Sequence, residues 1–272
     1  MVRWPTRSQK GIPELSAHEM REIDRIMTEE LGVDLLQMME LAGSHLAELT
    51  LGLFGSLVRK APVLVLAGGG NNGGGALSAA RHLTNRGANV SVLTVGEKKR
   101  MKPAPLHQRK TLLALGIPVF QFNEIGESDE MEALLGGASV LVDGVIGYGL
   151  QGDLDQAPLQ VVSAMNRLHL PIVSLDVPSG FEMSGGVLRG PCVRASATLA
   201  LALPKTGILS DTGRKVAGRL FLGDIGVPDN AYRRIGTNPG VLFADGRILE
   251  ISFLQEGDIF SENCQEKERE RI

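Results

Sequence analysis

Three short segments of this chain combine residue types and spacing that could do chemistry. The first is Gly68-Gly69-Gly70-Asn71-Asn72-Gly73-Gly74-Gly75, which follows the apolar run 62–67. Gly68, Gly70 and Gly73 satisfy G-x-G-x-x-G between a strand pattern and a helix pattern. Such a loop lets backbone N–H groups approach a phosphate at a helix N-terminus. No Lys-Ser/Thr follows the glycines, so this is not a P-loop. A dinucleotide dehydrogenase wants an acid at the end of the next strand to bind the ribose. Here that strand ends Thr94-Val95-Gly96, and the first acid, Glu97, lies beyond it, so conventional NAD binding is not favoured. The bland alternative, a glycine turn serving only tight packing, accounts poorly for two consecutive asparagines among six glycines.

The second segment runs from Val142 to Asp153 and begins Val142-Asp143-Gly144. Asp143 closes an apolar strand, where an unpaired carboxylate is costly, so it requires a cation or several donors. The alternative is a cap, a common task for Asp. The third segment is Leu175-Asp176-Val177-Pro178-Ser179-Gly180. Asp176 again closes an apolar strand, in a sharp loop held by Pro178 and Gly180. A carboxylate fixed there suits general acid/base work, and burial raises its pKa towards that use. A loop-bracing Asp is the alternative for one position; three such strand ends together favour function. Ser179 is not in a G-x-S-x-G elbow, and His18, His45, His82, His107 and His169 fall in or beside helix patterns. A Ser/His/Asp triad therefore finds little support. Zinc lacks clustered Cys and His, whereas a hard cation held by oxygens of Asn, Asp and Ser fits the composition of these segments.

These segments need strand ends and helices to position them. Residues 17–31 carry Met20, Ile23, Ile26 and Met27 at helical spacing, with Ser16 and Glu19 placed as a capping box. Residues 35–54 read as a helix buried on several sides. Strand patterns at 62–67, 89–95, 118–122, 139–143 and 171–176 alternate with helix patterns at 76–86, 106–115, 130–135 and 157–168. Residues 197–203 and 219–222 are further strand candidates. That alternation predicts an α/β fold with a parallel sheet covered on both faces, and ligands then bind beyond the carboxyl ends of the strands. One domain over residues 1–255 and a polar, charged tail over 256–272 is the simplest division.

The chain has 272 residues, with 28 Lys+Arg against 31 Asp+Glu and 43% apolar residues. That is ample material for a core, and it argues against disorder and against a generic electrostatic grip on nucleic acid. Cys192 and Cys264 make no disulfide scaffold. No uninterrupted apolar stretch reaches ~18 residues, so no membrane span is expected. Arg3, Arg7 and Lys10 precede no long apolar core, so a secretory signal is not expected. The expected location is the cytoplasm, with a short transit peptide as the alternative to a frayed basic start.

At these residues the chain resembles the YjeF N-terminal domain family, whose enzymes are NAD(P)H-hydrate epimerases. The family's glycine segment, G-x-G-N-N-G-G-D-G-L-x-A-A-R-H-L, corresponds to Gly68 through Leu83. V-D-x-x-x-G-x-G corresponds to Val142 through Gly149, and D-[IV]-P-S-G to Asp176 through Gly180. L-M-E-x-A-G appears as Met38-Met39-Glu40-Leu41-Ala42-Gly43, and K-x-G as Lys205-Thr206-Gly207. The resemblance implies a Rossmann-like three-layer αβα sandwich with N-terminal helices and a mainly parallel sheet, often a homodimer. It implies interconversion of the R and S forms of the 6-hydroxy hydrates of NADH and NADPH, with a separate dehydratase repairing the S form. By position it implies a potassium ion on Asn72, Asp143 and Ser179. Substrate contacts would come from Asn71, Asn72, Gly73, Gly74, Gly75, Gly147, Tyr148, Gly149, Leu150, Gln151, Gly152, Asp153 and Asp176. Asp176 is assigned as acid and then base at the C6 hydroxyl, across a transient iminium. One departure stands out: the family's Asp in N-N-G-G-D is Gly75 here, followed by Ala76. A missing acid or base costs about 10²–10⁴ in rate, so weakened activity or an altered substrate follows as an expectation. The competing reading is a non-catalytic binding protein on the same scaffold, for a nucleotide, an RNA-processing complex or a protein partner. Lys98-Lys99-Arg100 with Lys102 lacks interleaved aromatics and reads as a solvated loop, so nucleic acid is not the expected partner.

Overall fold

A computed structural model describes residues 2–125, 129–150, 152–183, 188 and 190–253. The charged tail and Gln151 lie outside the described residues. The strands are β1 (Thr6–Ser8), β2 (Val63–Gly68), β3 (Val90–Val95), β4 (Val119–Gln121), β5 (Val140–Gly144), β6 (Ile172–Leu175), β7 (Ala197–Leu201), β8 (Arg219–Gly223) and β9 (Ile248–Ser252). They form one sheet in the order β1-β9-β8-β7-β6-β5-β2-β3-β4. Pairing from β8 through β4 is parallel, and only β8 and β9 run antiparallel to one another. The chain winds outward from β2 to β4, then returns to place β5 on the other side of β2. The order therefore reverses between β2 and β5, the crevice where such sheets bind ligands.

Strand alternation sorts the apolar residues onto two faces. On β2, Val63, Val65 and Ala67 pack with Leu46 and Leu49 of α2 (Leu35–Val58) and with Leu77 and Leu83 of α3 (Asn71–Asn85). Leu64 and Leu66 pack on the opposite face, with Met131 and Leu135 of α6 (Asp129–Gly136) and Val161 and Met165 of α7 (Gln156–Arg167). Each such side chain buried in full contributes about 1.5–3 kcal/mol. The first face also holds α4 (Pro103–Ala114), through Leu112. The short α5 (Phe122–Ile125) joins the second through Phe122. Among the described residues, α2 is the one helix long and apolar enough by composition to cross a membrane. In the fold it lies on the sheet against α3.

The N-terminal helix α1 (Ala17–Arg25) starts with the expected capping box: Glu19 N–H reaches Ser16 Oγ at 3.2 Å, and Ser16 N–H reaches Glu19 Oε2 at 2.7 Å. A wider π-helical turn, Ile26–Glu30, follows it. Met20, Ile23, Ile26 and Met27 pack beside the cavity against Met38 and Ala42 of α2 and Tyr232 of α9 (Asp229–Arg234). The sequence patterns did not announce β1, β9, α9 or α8 (Asp211–Ala217). These elements are short, and β1 and β9 extend the far edge of the sheet.

The boundary of α3 corrects one expectation. The glycine segment is not a loop up to residue 75: the helix begins at Asn71, with Gly70 as its N-cap. Glycines are poor helix formers, by about 1 kcal/mol each against Ala, but close packing demands them here. A Cβ on Gly73 would lie 1.9 Å from Gly68 O, and one on Gly74 would lie 2.6 Å from Met39 Sδ. Packing overrides propensity, and the start of α3 sits directly on the end of β2.

Candidate active site

A cavity of about 960 Å³ opens at the β2/β5 crevice. Gly68–Gly70 and the first residues of α3 form one wall, the segment after β5 a second, and α1 with the start of α2 a third. The first N–H groups of a helix have no intrahelical partner and carry the positive end of its dipole, so the wall at Asn71 and Asn72 is suited to phosphate. Asn71 Oδ1 and Asn72 Nδ2 are buried and have no hydrogen-bond partner among the described residues.

Of the residues expected at the substrate, Asn71, Asn72, Gly75, Gly147, Tyr148, Gly149 and Asp176 line this cavity. Gly73 and Gly74 are buried in α3 behind the wall. Leu150, Gly152 and Asp153 lie outside the lining, and Gln151 is outside the described residues. Glu97, which sequence placed past the end of β3, reaches the cavity wall. It is paired there with Lys99 at 3.1 Å and Arg100 at 3.4 Å.

Asp176 follows β6 with φ 69°, a left-handed conformation that costs a non-glycine residue about 1–3 kcal/mol. Its own N–H bonds to Leu199 O at 2.7 Å and holds that bend. The side chain is 3% exposed. Its Oδ2 accepts the Tyr148 N–H at 3.1 Å. Lys205 Nζ stands 2.5 Å from Oδ1 and is itself fully buried. Lys205 aims its well-formed hydrogen bonds elsewhere, at Leu201 O (2.7 Å) and Leu203 O (3.1 Å). Oδ1 has no hydrogen bond of good angle, so the contact acts as an ion pair and Oδ1 keeps accepting capacity. Leu15 clamps the backbone around Lys205: its N–H reaches Pro204 O at 2.8 Å, and its carbonyl accepts the Thr206 N–H at 2.9 Å.

Asp143, on the neighbouring strand, is fully buried and differently furnished. Its Oδ1 accepts from Ser179 Oγ at 2.5 Å and Val145 N–H at 3.3 Å; its Oδ2 accepts from Ser174 Oγ at 2.8 Å and Ser179 N–H at 2.9 Å. Ser179 Oγ also accepts from Ile146 N–H at 2.9 Å, tying the segment after β5 to the one after β6. Burial pushes the Asp143 carboxyl above its ordinary range, against the pull of these hydrogen bonds.

Two further groups were given no role by the sequence reading. Asp24 of α1 lines the cavity and accepts the Tyr148 hydroxyl at 2.5 Å. Burial raises the Asp24 carboxyl, opposed by that hydrogen bond and by Lys205; burial and Asp24 raise the Tyr148 phenol. The signal was available, because Asp24 sits with Met20 and Met27 on the apolar stripe of its helix, where an acid needs a reason. The second is Glu40 of α2, outside the cavity lining. It receives Arg81, Gln108 Nε2 (2.9 Å) and Ser78 Oγ (3.0 Å), with His82 Nε2 at 3.2 Å. Burial alone would raise its carboxyl, but these partners hold it at about 2.

Comparison with known proteins agrees with this architecture. An NAD(P)H-hydrate epimerase of Dehalogenimonas lykanthroporepellens is 39% identical over 86% of this chain and 91% of its own length. One from Weissella koreensis is 33% identical over 78% and 91%. A bifunctional NAD(P)H-hydrate repair enzyme of Moorella thermoacetica is 35% identical, and there the match spans 40% of the longer protein. The crystal structure of yeast ynu0, YNL200c, superposes with a TM-score of 0.76 at 26% identity, over 88% of this chain and all of that one. The family described as YjeF-related protein N-terminus matches residues 35–207, the stretch that carries the crevice, Asp143, Asp176 and Lys205, and the chain belongs to that family.

Proposed function

We propose that this protein is an NAD(P)H-hydrate epimerase, interconverting the R and S hydrates at C6 of the reduced nicotinamide. The observation that carries the reading is the Asp176 carboxylate, held by Lys205 in the wall of a cavity at the β2/β5 crevice. A cavity of about 960 Å³ is of ligand-site size. Epimerisation needs little more than that: a dinucleotide held by its phosphates and a carboxylate at the carbinolamine carbon. Loss of the C6 hydroxyl as water leaves an iminium, and water returns on the other face. Asp176 moves the proton, and the paired lysine keeps the carboxylate in place.

Asn72, Asp143 and Ser179 would hold a potassium ion, and the donor set suits one. It is rich in oxygen, and Asp143 has no cationic partner among the described residues. When bound, the ion would offset the Asp143 charge and brace the segments after β5 and β6. A homodimer, a dehydratase on a separate chain and a cytoplasmic location belong to the same reading. Gly75 is the observation favouring a second one, a binding protein on this scaffold, because it contributes no carboxylate to the cavity wall.

The test supplies purified protein with the R hydrate of NADH and a dehydratase specific for the S form, in potassium buffer. NADH recovery faster than spontaneous epimerisation establishes the enzyme; recovery at the spontaneous rate from folded protein leaves the binding protein. Exchange of potassium for lithium should lower both rate and melting temperature, and indifference of both removes the ion.

A further inference from the structure

We propose that Asp24 of α1 is a second acid/base group of the epimerase, working from the opposite side of the nicotinamide ring to Asp176. The inference rests on the epimerase reading and adds a residue to it. Inversion at C6 needs a hydroxyl to leave one face and water to arrive at the other, and a carboxylate fixed at one point serves one face. Heterolysis at the anomeric carbon of a sugar poses the same problem, and enzymes that invert it place two carboxyl groups across the reacting carbon.

The cavity holds the same kind of pair. Among the described lining residues the acids are Asp24, Glu97, Asp155 and Asp176. Glu97 is paired with Lys99 and Arg100, and Asp155 is exposed ahead of α7. Asp24 and Asp176 remain, and Tyr148 spans them: its backbone N–H donates to Asp176 Oδ2 at 3.1 Å and its hydroxyl to Asp24 Oδ2 at 2.5 Å. One carboxyl group therefore stands at each end of a single tyrosine. Their partners differ. Asp176 has the Lys205 ammonium 2.5 Å from its Oδ1. Asp24 has only the neutral phenol in contact, and its carboxyl is raised by burial. The charged groups acting on Asp24 from other elements are Lys205, Asp176 and Lys102.

The balance is closed. Protonated Asp24 delivers its proton to the departing hydroxyl, the C6–O bond breaks with its electron pair going to oxygen, and water leaves the iminium. A water on the Asp176 side forms the new C6–O bond and gives its proton to Asp176. The two carboxyl groups have then exchanged states, and solvent resets them; the other epimer runs through the same groups in reverse.

The test is the coupled NADH-recovery assay across pH on wild type, Asp24→Asn and Tyr148→Phe, with NADP⁺ binding measured beside it. Wild-type kcat should fall as pH rises through the Asp24 titration, because the acid is lost. Asp24→Asn should lower kcat by about 10²–10⁴, bind NADP⁺ as before and lose that alkaline limb; Asp24→Glu should recover part of the rate. Tyr148→Phe removes the hydrogen bond that stabilises ionised Asp24, so it should move the limb to higher pH. An active wild type with Asp24→Asn of equal kcat and equal pH profile overturns the role of Asp24 alone, as does a change confined to KM. A wild type with no activity on the R hydrate overturns the epimerase reading and this inference with it.

Discussion

Asp143 and Asp176 end neighbouring parallel strands after apolar runs of the same kind, and both are buried, yet the chain surrounds them differently. Asp143 takes four hydrogen bonds from Val145, Ser174 and Ser179 and is closed off from solvent. Asp176 takes one N–H and one ammonium, in a left-handed bend that turns it into the cavity wall. A strand that delivers a carboxylate to its carboxyl end supplies position only. Chemistry depends on the partner set: neutral donors on both oxygens make a brace, whereas a paired cation and a place in the cavity wall make a reagent.

Exchanging each acid for its amide should break this contrast most sharply. Asp176→Asn should lower kcat by about 10²–10⁴ in the coupled assay, since Asn tolerates the left-handed backbone but cannot move the proton. It also strands Lys205, fully buried, without its counter-charge. Stranded buried charges cost about 3–5 kcal/mol, so urea unfolding should show a loss that Asp176→Asn/Lys205→Met largely recovers, without recovery of rate. Recovery of rate in the double variant would contradict the role of Asp176. For Asp143→Asn the emphasis should reverse. The amide nitrogen would face donors, leaving at least one buried group unsatisfied at about 1–3 kcal/mol each. The midpoint of unfolding should drop at unchanged m, and the fractional loss of kcat should be far smaller than for Asp176→Asn. Ser179→Ala should fall between, because it removes the bond to Asp143 and the tie to Ile146 N–H.

The contrast also marks what the sequence made legible. Apolar strand runs ending in Asp143 and Asp176, and the Gly-Asn run after β2, located the crevice, because a parallel sheet puts its ligand beyond strand ends. The helix patterns fell where the first-face and second-face helices lie. Hidden from that reading was whatever depends on partners distant in sequence. Lys205 meets Asp176 only because β7 lies beside β6. Tyr148 meets Asp24 across 124 positions. The start of α3 was misplaced because a propensity argument ends a helix at glycines, while contact with Gly68 and Met39 makes glycine the residue that fits. The edge strand β1, three residues long, was too short for alternation to register.

The smallest predicted effect contrasts the cavity with the helix layer behind it. Glu40 is held at about 2, against an ordinary value of 4.5, by Arg81, Gln108 and Ser78 outweighing its burial. A carboxyl lowered in the folded state contributes stability that is present above its unfolded value and lost as pH falls through the folded one. Between about 4.5 and about 2 the unfolded chain takes up the proton first, so stability must decline through that window. Glu40→Gln removes this dependence. Its melting temperature should lie below wild type at neutral pH, and the gap should close as the pH is lowered towards 3. Glu40 is 39% exposed, so solvent screening keeps the effect modest. Because Glu40 lies outside the cavity lining, kcat for the R hydrate should stay near wild type at neutral pH. A gap that does not change with pH would mean that Arg81 and Gln108 hold Glu40 by packing and not by charge. A large loss of kcat would mean that the α2–α3–α4 layer sets the position of Asn71 and Asn72 as well as the stability of the fold.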